Sequence, residues 1–477
     1  MQKKPLYGLL INEIGNLFQK QVWRAFVSSC EQKGIQAVGI IGKAWHSPHN
    51  DELAHNTLYR LVPYLGLDGS VVAESVLSTH EPFSQVEDVC GLDPTRTVYL
   101  GEPPYVERAS LNFDASSAIL AAITHLVKVH HCHKIACVTG VPTNPDTQAR
   151  LAAFREALRS LSIPLDKNLE EDGNFTNENG GEAALALLNR DPEIDAIFFM
   201  NDTMAIGAQQ AFEFAGIPLD RVRMVSMDDI AEARWMRIPL STIRQPTEAM
   251  SRRAVEILAG NEIKAKKCQE MFLGELVIRS SCGCHRDPGQ SGRDEFIEEQ
   301  MRSFFLSRAI RQAAQILFSN LEPASWDNRV ARTLLRAQIS WAGILEWKSG
   351  LLPEDSLAEI AFHRWIEYGN GLVLRDSEQR HPPAEILAER IASRSRPCVI
   401  VPLVCQSNFL GVCIMEVNEA LENYYEPLML QLSAALQGTW LMESQQDIQR
   451  ELISANQQLL NLSNRDELTG VLNRRGF

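Results

Sequence analysis

Short apolar runs alternate with helical stretches through the first 285 residues of the chain. The first run is Leu6–Ile11, a helical pattern follows over residues 19–33, and residues 35–41 form the next run. Apolar runs of this length are typical of strands buried on both faces, and their alternation with helices predicts parallel sheets covered by helices. Because so long an alternating stretch suits two lobes better than one, we expect a two-lobed α/β domain over residues 1–285.

Length and charge limit the classes of protein that the chain can belong to. A chain of 477 residues is too long for one ordinary core, and its 45% hydrophobic and 22% charged residues are typical of a soluble globular protein. The net charge of −14 is poorly suited to a phosphate backbone. No apolar run approaches the roughly 18 residues of a membrane span, and the first residues do not resemble a signal peptide. We therefore expect a cytoplasmic protein with no membrane partner.

Ten cysteines are scattered along the chain, and in a reducing compartment they are expected to be buried thiols. Two stretches raise the question of a metal, Cys282-Gly283-Cys284-His285 and His130-His131-Cys132-His133. A structural zinc site uses about four ligands at close spacing, and no second Cys/His pair flanks the first stretch. The second stretch lies between a predicted helix and a predicted strand, where an exposed connection is normal. The sequence thus favours ordinary connections at both places and no metal ligand.

Several motifs in the first 285 residues resemble the effector-binding domain of the lac-repressor family, which shares its fold with periplasmic sugar-binding proteins. They occur in the family's order along the chain and span most of this segment. The motifs are Thr139-Gly140-Val141-Pro142, the stretch 150–154, Gly173-Asn174-Phe175-Thr176, and the stretches 201–208, 226–230 and 240–246. The resemblance implies two lobes that close on a small sugar-like effector.

Five residues are the expected effector contacts, and the resemblance implies the same positions. Arg150 offers a fork of donors, Asn201 offers a donor and an acceptor, and Asp228 accepts from two hydroxyls. Phe175 supplies a face for stacking on a sugar ring, and Phe18 lies where the family has an Asn-Pro-Phe-like segment lining the cleft. Two alternatives stay open: Asp228 as the cap of a following helix and Arg150 as a surface helix residue.

The first strand begins at residue 6, whereas repressors of this family carry a helix-turn-helix of about sixty residues before the domain. Together with the acidic charge, this leads us to expect no DNA partner.

Residues 286–440 follow a different pattern. Residues 286–325 are predicted to be a linker and a connecting helix, with an amphipathic pattern from Phe296 to Asn320. Over residues 326–440 a helix, strands, a tight hairpin at 406–408 and a closing helix resemble a GAF-like α+β domain. The aromatic residues here are expected in the core, with a small-molecule pocket as the alternative; they are Trp341, Trp347, Trp365 and Tyr368.

Residues 441–465 carry a 3.5-residue apolar repeat, which predicts a short coiled coil and a parallel homodimer. An amphipathic helix packed on its own domain is the alternative. The repeat consists of Ile448, Leu452, Ala455, Leu459 and Leu462.

The last twelve residues carry the pattern Asp466-x-Leu468-Thr469-Gly470-x-x-Asn473-Arg474-Arg475-x-Phe477. It resembles the opening helix of GGDEF domains, the diguanylate cyclases. The resemblance implies a sensory region of such a cyclase, with GTP and Mg²⁺ as cofactors of a domain absent from this chain, and no catalytic residue or cofactor in the chain itself. The alternative is a non-catalytic signalling or transcriptional regulator derived from the lac-repressor family that acts through protein–protein contact.

Overall fold

The computed structural model describes residues 4–80, 84–103, 105, 107–260, 269–284, 307–319, 322–347, 364–377, 383–417, 422 and 424–464. The predicted GGDEF-like helix at 466–477 and the first part of the connecting helix, with Phe296, lie outside these residues. Among the described helices none is both long enough and apolar enough to cross a membrane.

The strands of the described chain fall into two sheets. In chain order they are β1 (Leu6–Ile11), β2 (Gln36–Ile41), β3 (Gly69–Val72), β4 (Thr97–Leu100), β5 (Ala109–Asp114), β6 (Ile135–Thr139), β7 (Glu170–Asp172), β8 (Ala196–Phe199), β9 (Arg223–Asp228), β10 (Ser241–Arg244), β11 (Gln269–Leu273), β12 (Glu275–Val277), β13 (Trp341–Glu346), β14 (Arg364–Gly369), β15 (Leu372–Ser377), β16 (Cys398–Cys405) and β17 (Asn408–Glu416).

Helices cover both faces of the first part of the chain, up to residue 284, and close the second part, described from residue 307 to residue 464. In chain order they are α1 (Leu17–Gln32), α2 (Asn50–His55), α3 (Glu74–Leu77), α4 (Val86–Cys90), α5 (Ser116–His130), α6 (Pro145–Ser160), α7 (Asn177–Arg190), α8 (Asp202–Ala215), α9 (Thr247–Gly260), α10 (described over 307–318), α11 (Trp326–Arg336), α12 (Pro383–Ala392) and α13 (Tyr425–Asn464).

The first part has two lobes, each built on a parallel sheet. In the N-lobe the order is β11-β5-β4-β3-β1-β2, with every neighbouring pair parallel. In the C-lobe the order is β12-β10-β9-β8-β6-β7, and only β12 runs antiparallel to its neighbour among the described strands. Strands buried along their whole length produce the continuous apolar runs seen in the sequence. The predicted two-lobed α/β fold is confirmed.

The chain crosses between the lobes three times. It crosses after Asp114 into α5, after Gln245 into α9, and at Gly274 between β11 and β12. A Cβ at Gly274 would lie 2.9 Å from the side chain of Ile243 and 3.1 Å from that of Phe113, so the crossing requires a residue without a side chain. Three short crossings side by side allow the lobes to hinge about one line.

The second part continues the N-lobe sheet. Its strands are ordered β16-β17-β13-β14-β15 and are antiparallel, and β16 pairs in parallel with β2 through Cys398–Val38 and Ile400–Ile40. One hydrophobic core runs from Trp23 of α1 to Leu428 of α13. The GAF-like assignment is not confirmed, and the boundaries at 286–325 and 326–440 stay predictions.

The aromatic residues of the second part are core residues. Trp341, Trp365 and Tyr368 are buried, and the indole nitrogen of Trp341 donates to Glu367 Oε1 at 2.9 Å. Trp365 and Tyr368 both lie on β14, a strand that the sequence patterns did not predict. Burial on both sides of the sheet explains why these rings fill the core.

The predicted closing helix and the predicted coil are one helix, α13, of 40 residues. Beyond Leu441 its apolar side chains face away from the chain, and Ile448, Leu452 and Leu459 are 63%, 60% and 63% exposed. Exposure of a regular apolar repeat is compatible with a coiled coil, but pairing of two chains is not confirmed.

Candidate functional site

A cavity of about 480 Å³ lies between the lobes. The N-lobe lines it with loops after β3 and β4 and with the start of α1, and the C-lobe lines it with the start of α6. Gln245 and Asp114, next to the crossings, also line it. Loops at the carboxyl ends of parallel strands are the usual ligand site of open α/β sheets.

Arg150 extends from α6 into this cavity, and contacts with its own lobe hold the guanidinium in position. Its Nη1 donates to the backbone oxygen of Met200 at 2.8 Å, and Nη2 lies 3.4 Å from Asp146 Oδ2. The guanidinium carbon lies 5.9 Å from the centre of the Phe175 ring. With only 9% of the residue exposed, Arg150 is not a surface helix residue.

Phe175 and Asn201 form a second layer around Arg150. Phe175 has a φ of 61°, and its ring lies over Gly140, where an added Cβ would approach within 2.0 Å. Asn201 caps α8, because its Oδ1 accepts from Met204 N at 2.9 Å, and its Nδ2 donates to the Phe175 oxygen at 3.1 Å. Both residues therefore hold the wall of the cavity in position.

Asp228 lies at the end of β9 with a φ of 113°, an unusual value for a residue with a side chain. Gln245 Nε2 donates to its Oδ1 at 2.7 Å. Burial raises the pKa of the Asp228 carboxyl to about 7, although the nearby charge of Arg150 opposes this effect. No helix cap is formed at this position, so the alternative role considered for Asp228 is not observed.

Two of the five predicted residues, Phe18 and Arg150, line the cavity from opposite lobes. The other three, Phe175, Asn201 and Asp228, belong to the network behind it, with Phe175 beside Arg150 and Asp228 bonded to the cavity residue Gln245. The structure thus gathers all five around one cleft and separates them into two layers.

Sequence reasoning missed several cavity residues. Asn144 caps α6 and its Nδ2 donates across the cleft to the Thr79 oxygen at 3.2 Å. Burial raises the pKa of Glu74 to about 7, and the Ser78 hydroxyl donates to that carboxyl. The Asn-Pro helix start at Asn144 and the polar Gln245 before a proline were signals that could have identified these positions.

Charges in the cavity are mainly negative. Among the lining residues that the structure describes, Arg150 is the cation, and the acids are Glu74, Glu102, Asp114 and Asp146. An anionic ligand would meet repulsion here, whereas a neutral ligand rich in hydroxyls would meet acceptors, amides and one guanidinium.

A second cavity of about 590 Å³ lies on the C-lobe alone, and Arg223, Arg234 and Arg237 contribute to its lining. It touches neither the N-lobe nor the crossings, so a ligand there would not report on lobe closure. In addition, the described residues His125, His130, Cys282 and Cys284 bring possible metal ligands together on this lobe.

Comparison with known proteins agrees with this geometry. A family model for a periplasmic-binding-protein-like domain matches residues 123–282. The chain is similar to the HTH-type transcriptional regulator DegA of Bacillus subtilis, with 25% identity over 59% of this chain and 81% of DegA. The ribose operon repressor of Escherichia coli K12 is 27% identical over 53% of this chain and 73% of the repressor.

Among solved structures, the transcriptional regulator CelR–cellobiose complex is 23% identical, and the match covers 59% of this chain and 86% of that one with a TM-score of 0.50. This likeness supports the fold alone. The family model thus supports a periplasmic-binding-protein-like domain in the first part of the chain. The relatives that share sequence with this part are transcriptional regulators.

The prediction of a diguanylate-cyclase sensor is contradicted by these comparisons. The relatives are transcriptional regulators, and the family model that matches describes a binding domain. The GGDEF resemblance covered only the short stretch 466–477, too little to specify a fold, and the GTP and Mg²⁺ expectation depended on it. Relatives named for a helix-turn-helix also speak against excluding DNA as a partner.

Proposed function

We propose that the chain is an effector-responsive regulator derived from the lac-repressor family. The observation that carries the proposal is the interlobe cavity, in which Arg150 of one lobe faces Phe18 of the other. A ligand that contacts both lobes stabilises the closed arrangement over an open one. Regulation then follows from the difference in affinity between the two arrangements.

The proposed effector is a small neutral molecule rich in hydroxyl groups. Arg150 donates to it, Phe18 supplies an apolar wall, and Asp228, through Gln245, accepts from or orients a hydroxyl. Phe175 and Asn201 support these groups. The acidic lining argues against phosphorylated sugars, and the ribose and cellobiose in the names of two similar proteins support a sugar.

The proposed output passes through the N-lobe into α13. Ile14, in the loop that leads to Phe18, donates its N–H to the hydroxyl of Tyr425 at 3.2 Å. Arg24 of α1 pairs with Glu422 at 2.6 Å just before the same helix. Movement of Phe18 on effector binding therefore reaches the start of α13 through direct contacts.

In this proposal the second part of the chain acts as a GAF-like relay. The far end of α13 forms a coiled coil that joins two chains. The exposed repeat at Ile448, Leu452 and Leu459 supplies the apolar surface that such a coil requires. A regulator of this kind acts in the cytoplasm on another protein.

The test is ligand-dependent thermal unfolding of the full chain with a panel of neutral pentoses, hexoses and disaccharides, including ribose and cellobiose. A ligand at a hundred times its Kd stabilises the folded state by about 2.7 kcal/mol. We expect at least one sugar to raise the unfolding midpoint of the wild type and not that of Arg150→Ala.

Arg159→Ala is the matched control, because Arg159 lies on the same helix but is exposed away from the cavity. Its sugar response should equal that of the wild type. A sugar response that survives in Arg150→Ala would place the effector elsewhere, and the absence of any response across neutral sugars would contradict the proposed effector class.

A further inference from the structure

Two histidines and two cysteines from distant parts of the sequence meet on the C-lobe. His125 and His130 lie in the last turns of α5, and Cys282 and Cys284 lie in the turn after β12. Their ligand atoms all lie within 4.8 Å of one another, although Cys282 and His125 are 157 positions apart. The absence of a second Cys/His pair nearby in the sequence is therefore no argument against a metal, because the fold supplies the pair.

The distances between these atoms match those around a tetrahedral ion. His125 Nε2 lies 3.1 Å from His130 Nε2, 3.4 Å from Cys282 Sγ and 3.5 Å from Cys284 Sγ, and Cys284 Sγ lies 3.4 Å from His130 Nε2. Zinc bound to two sulfurs and two nitrogens has ligand atoms about 3.3 to 3.8 Å apart, given the usual bond lengths and tetrahedral angles. Four of the six separations are thus close to those of a Cys₂His₂ site.

The turn that carries the cysteines is fixed by contacts that do not involve them. Ser281 N donates to the Pro239 oxygen at 2.9 Å, and Ser281 Oγ donates to the Met224 oxygen at 2.7 Å. Gly283 has a φ of 101°, and an added Cβ would lie 3.1 Å from His130 Nδ1. A glycine at this position lets the two thiols, one on either side of it, reach the imidazoles from one tight turn.

We propose that His125, His130, Cys282 and Cys284 bind one divalent metal ion of the zinc class. Two sulfur and two nitrogen ligands in tetrahedral arrangement favour zinc over magnesium, calcium or manganese, which prefer oxygen. Four protein ligands leave no open position, so the ion is structural. It joins the last turn of the periplasmic-binding-protein-like domain to α5, and it does so independently of the effector in the cleft.

The first test measures the metal content of the full chain by elemental mass spectrometry. The protein is purified under reducing conditions without chelator. We expect about one zinc per chain. After replacement of zinc by Co²⁺, we expect the strong visible absorption of tetrahedral cobalt and a sulfur-to-cobalt charge-transfer band. Weak octahedral cobalt bands on the wild type would overturn the proposal without any variant.

The second test compares the double variant Cys282→Ser/Cys284→Ser with His133→Ala. His133 follows the same helix, is exposed, and lies outside the group of four. The double variant should lose the zinc, and chelator should not change its midpoint of thermal unfolding. His133→Ala should behave as the wild type, which keeps the zinc and whose midpoint is lowered by chelator. Equal zinc in the double variant, or a Cys282–Cys284 disulfide in place of zinc in the wild type, would overturn the proposal.

Discussion

Asp228 and Asp202 are both buried and close enough to interact, and burial disfavours the charged form of each carboxyl. Burial raises the pKa of Asp228 to about 7 and that of Asp202 to about 8. Asp202 accepts from Thr242 Oγ1 at 2.7 Å and from Ile230 N at 2.9 Å, which offsets part of the burial. A fold that keeps such groups sacrifices stability for a function, and this is typical of binding sites.

The stability of the chain should decrease with rising pH because of Asp228. Its folded-state pKa lies above that of an unfolded aspartate, so the folded chain binds more protons between about pH 4 and pH 7, and stability falls as the pH rises through this window. Asp228→Asn removes this titration. Between pH 4 and pH 8, we therefore expect the free energy of unfolding of the variant to increase relative to that of the wild type by on the order of 3 kcal/mol.

Urea unfolding of both proteins across this pH range measures the difference. Asp220→Asn, at an exposed carboxyl of the same lobe, is the control for the loss of one negative charge. A constant difference between Asp228→Asn and wild type at all pH values would contradict the assignment of a buried, raised carboxyl.

Helices α7 and α8 approach each other through glycines. A Cβ at Gly180 would lie 2.4 Å from Met204 Cα, and one at Gly207 would lie 1.8 Å from the Asn177 oxygen. Both obstacles are backbone atoms, which cannot move aside as the end of a flexible side chain can. The close contact places the N-terminus of α8, with Asn201, against the loop of Phe175.

Gly207→Ala should therefore destabilise the chain by about 1 to 3 kcal/mol, the usual effect of overpacking. Gln210→Ala on the exposed side of the same helix should stay within about 0.5 kcal/mol of the wild type. Chemical denaturation of the three proteins gives the comparison. If the alanine at 207 were neutral, the two helices would not be packed backbone to backbone.

Local sequence patterns predicted helices and strands, but they did not predict which distant segments pair. The apolar run Leu6–Ile11 was sufficient to predict β1, and the motif around Arg150 was sufficient to predict that Arg150 lines the cavity. Nothing in the pattern of β2 indicates that β16 pairs with it, because Val38 and Cys398 are partners only in the folded sheet. For the same reason the meeting of His125 with Cys282 could not be predicted from spacing.

Across the whole molecule, the effector cavity and the long helix are linked by the bond from Ile14 N to Tyr425 Oη. Tyr425→Phe removes this acceptor and leaves the cavity residues in place. We expect its affinity for an effector to be close to that of the wild type, with a loss of about 1 to 2 kcal/mol in the free energy of unfolding. The effector-dependent change in α13 should be reduced.

Calorimetric titration measures the affinity, and fluorescence from a label at residue 454 of α13 measures the response of the helix. A full response with Tyr425→Phe would mean that the signal travels by another route. Reduced affinity and unchanged response together would place Tyr425 in the effector site instead.

The exposed repeat on α13 predicts the oligomeric state of the molecule. A charged side chain at the centre of a coil is buried without a partner, so Leu452→Asp should shift the chain from dimer to monomer. Gln457→Asp, on the outer face of the same helix, is the matched control and should remain dimeric. Light scattering after size-exclusion chromatography gives the mass, and a monomeric wild type would contradict the coil.

Hydrogen exchange with and without the most stabilising sugar tests whether the effector binds between the lobes and signals through the N-lobe. We expect slower exchange on both sides of the cleft, at the start of α1, which carries Phe18, and at the start of α6, together with a change at the start of α13. Protection confined to residues 219–239 around the second cavity, or no change beyond the C-lobe, would contradict an effector that binds between the lobes and signals through the N-lobe.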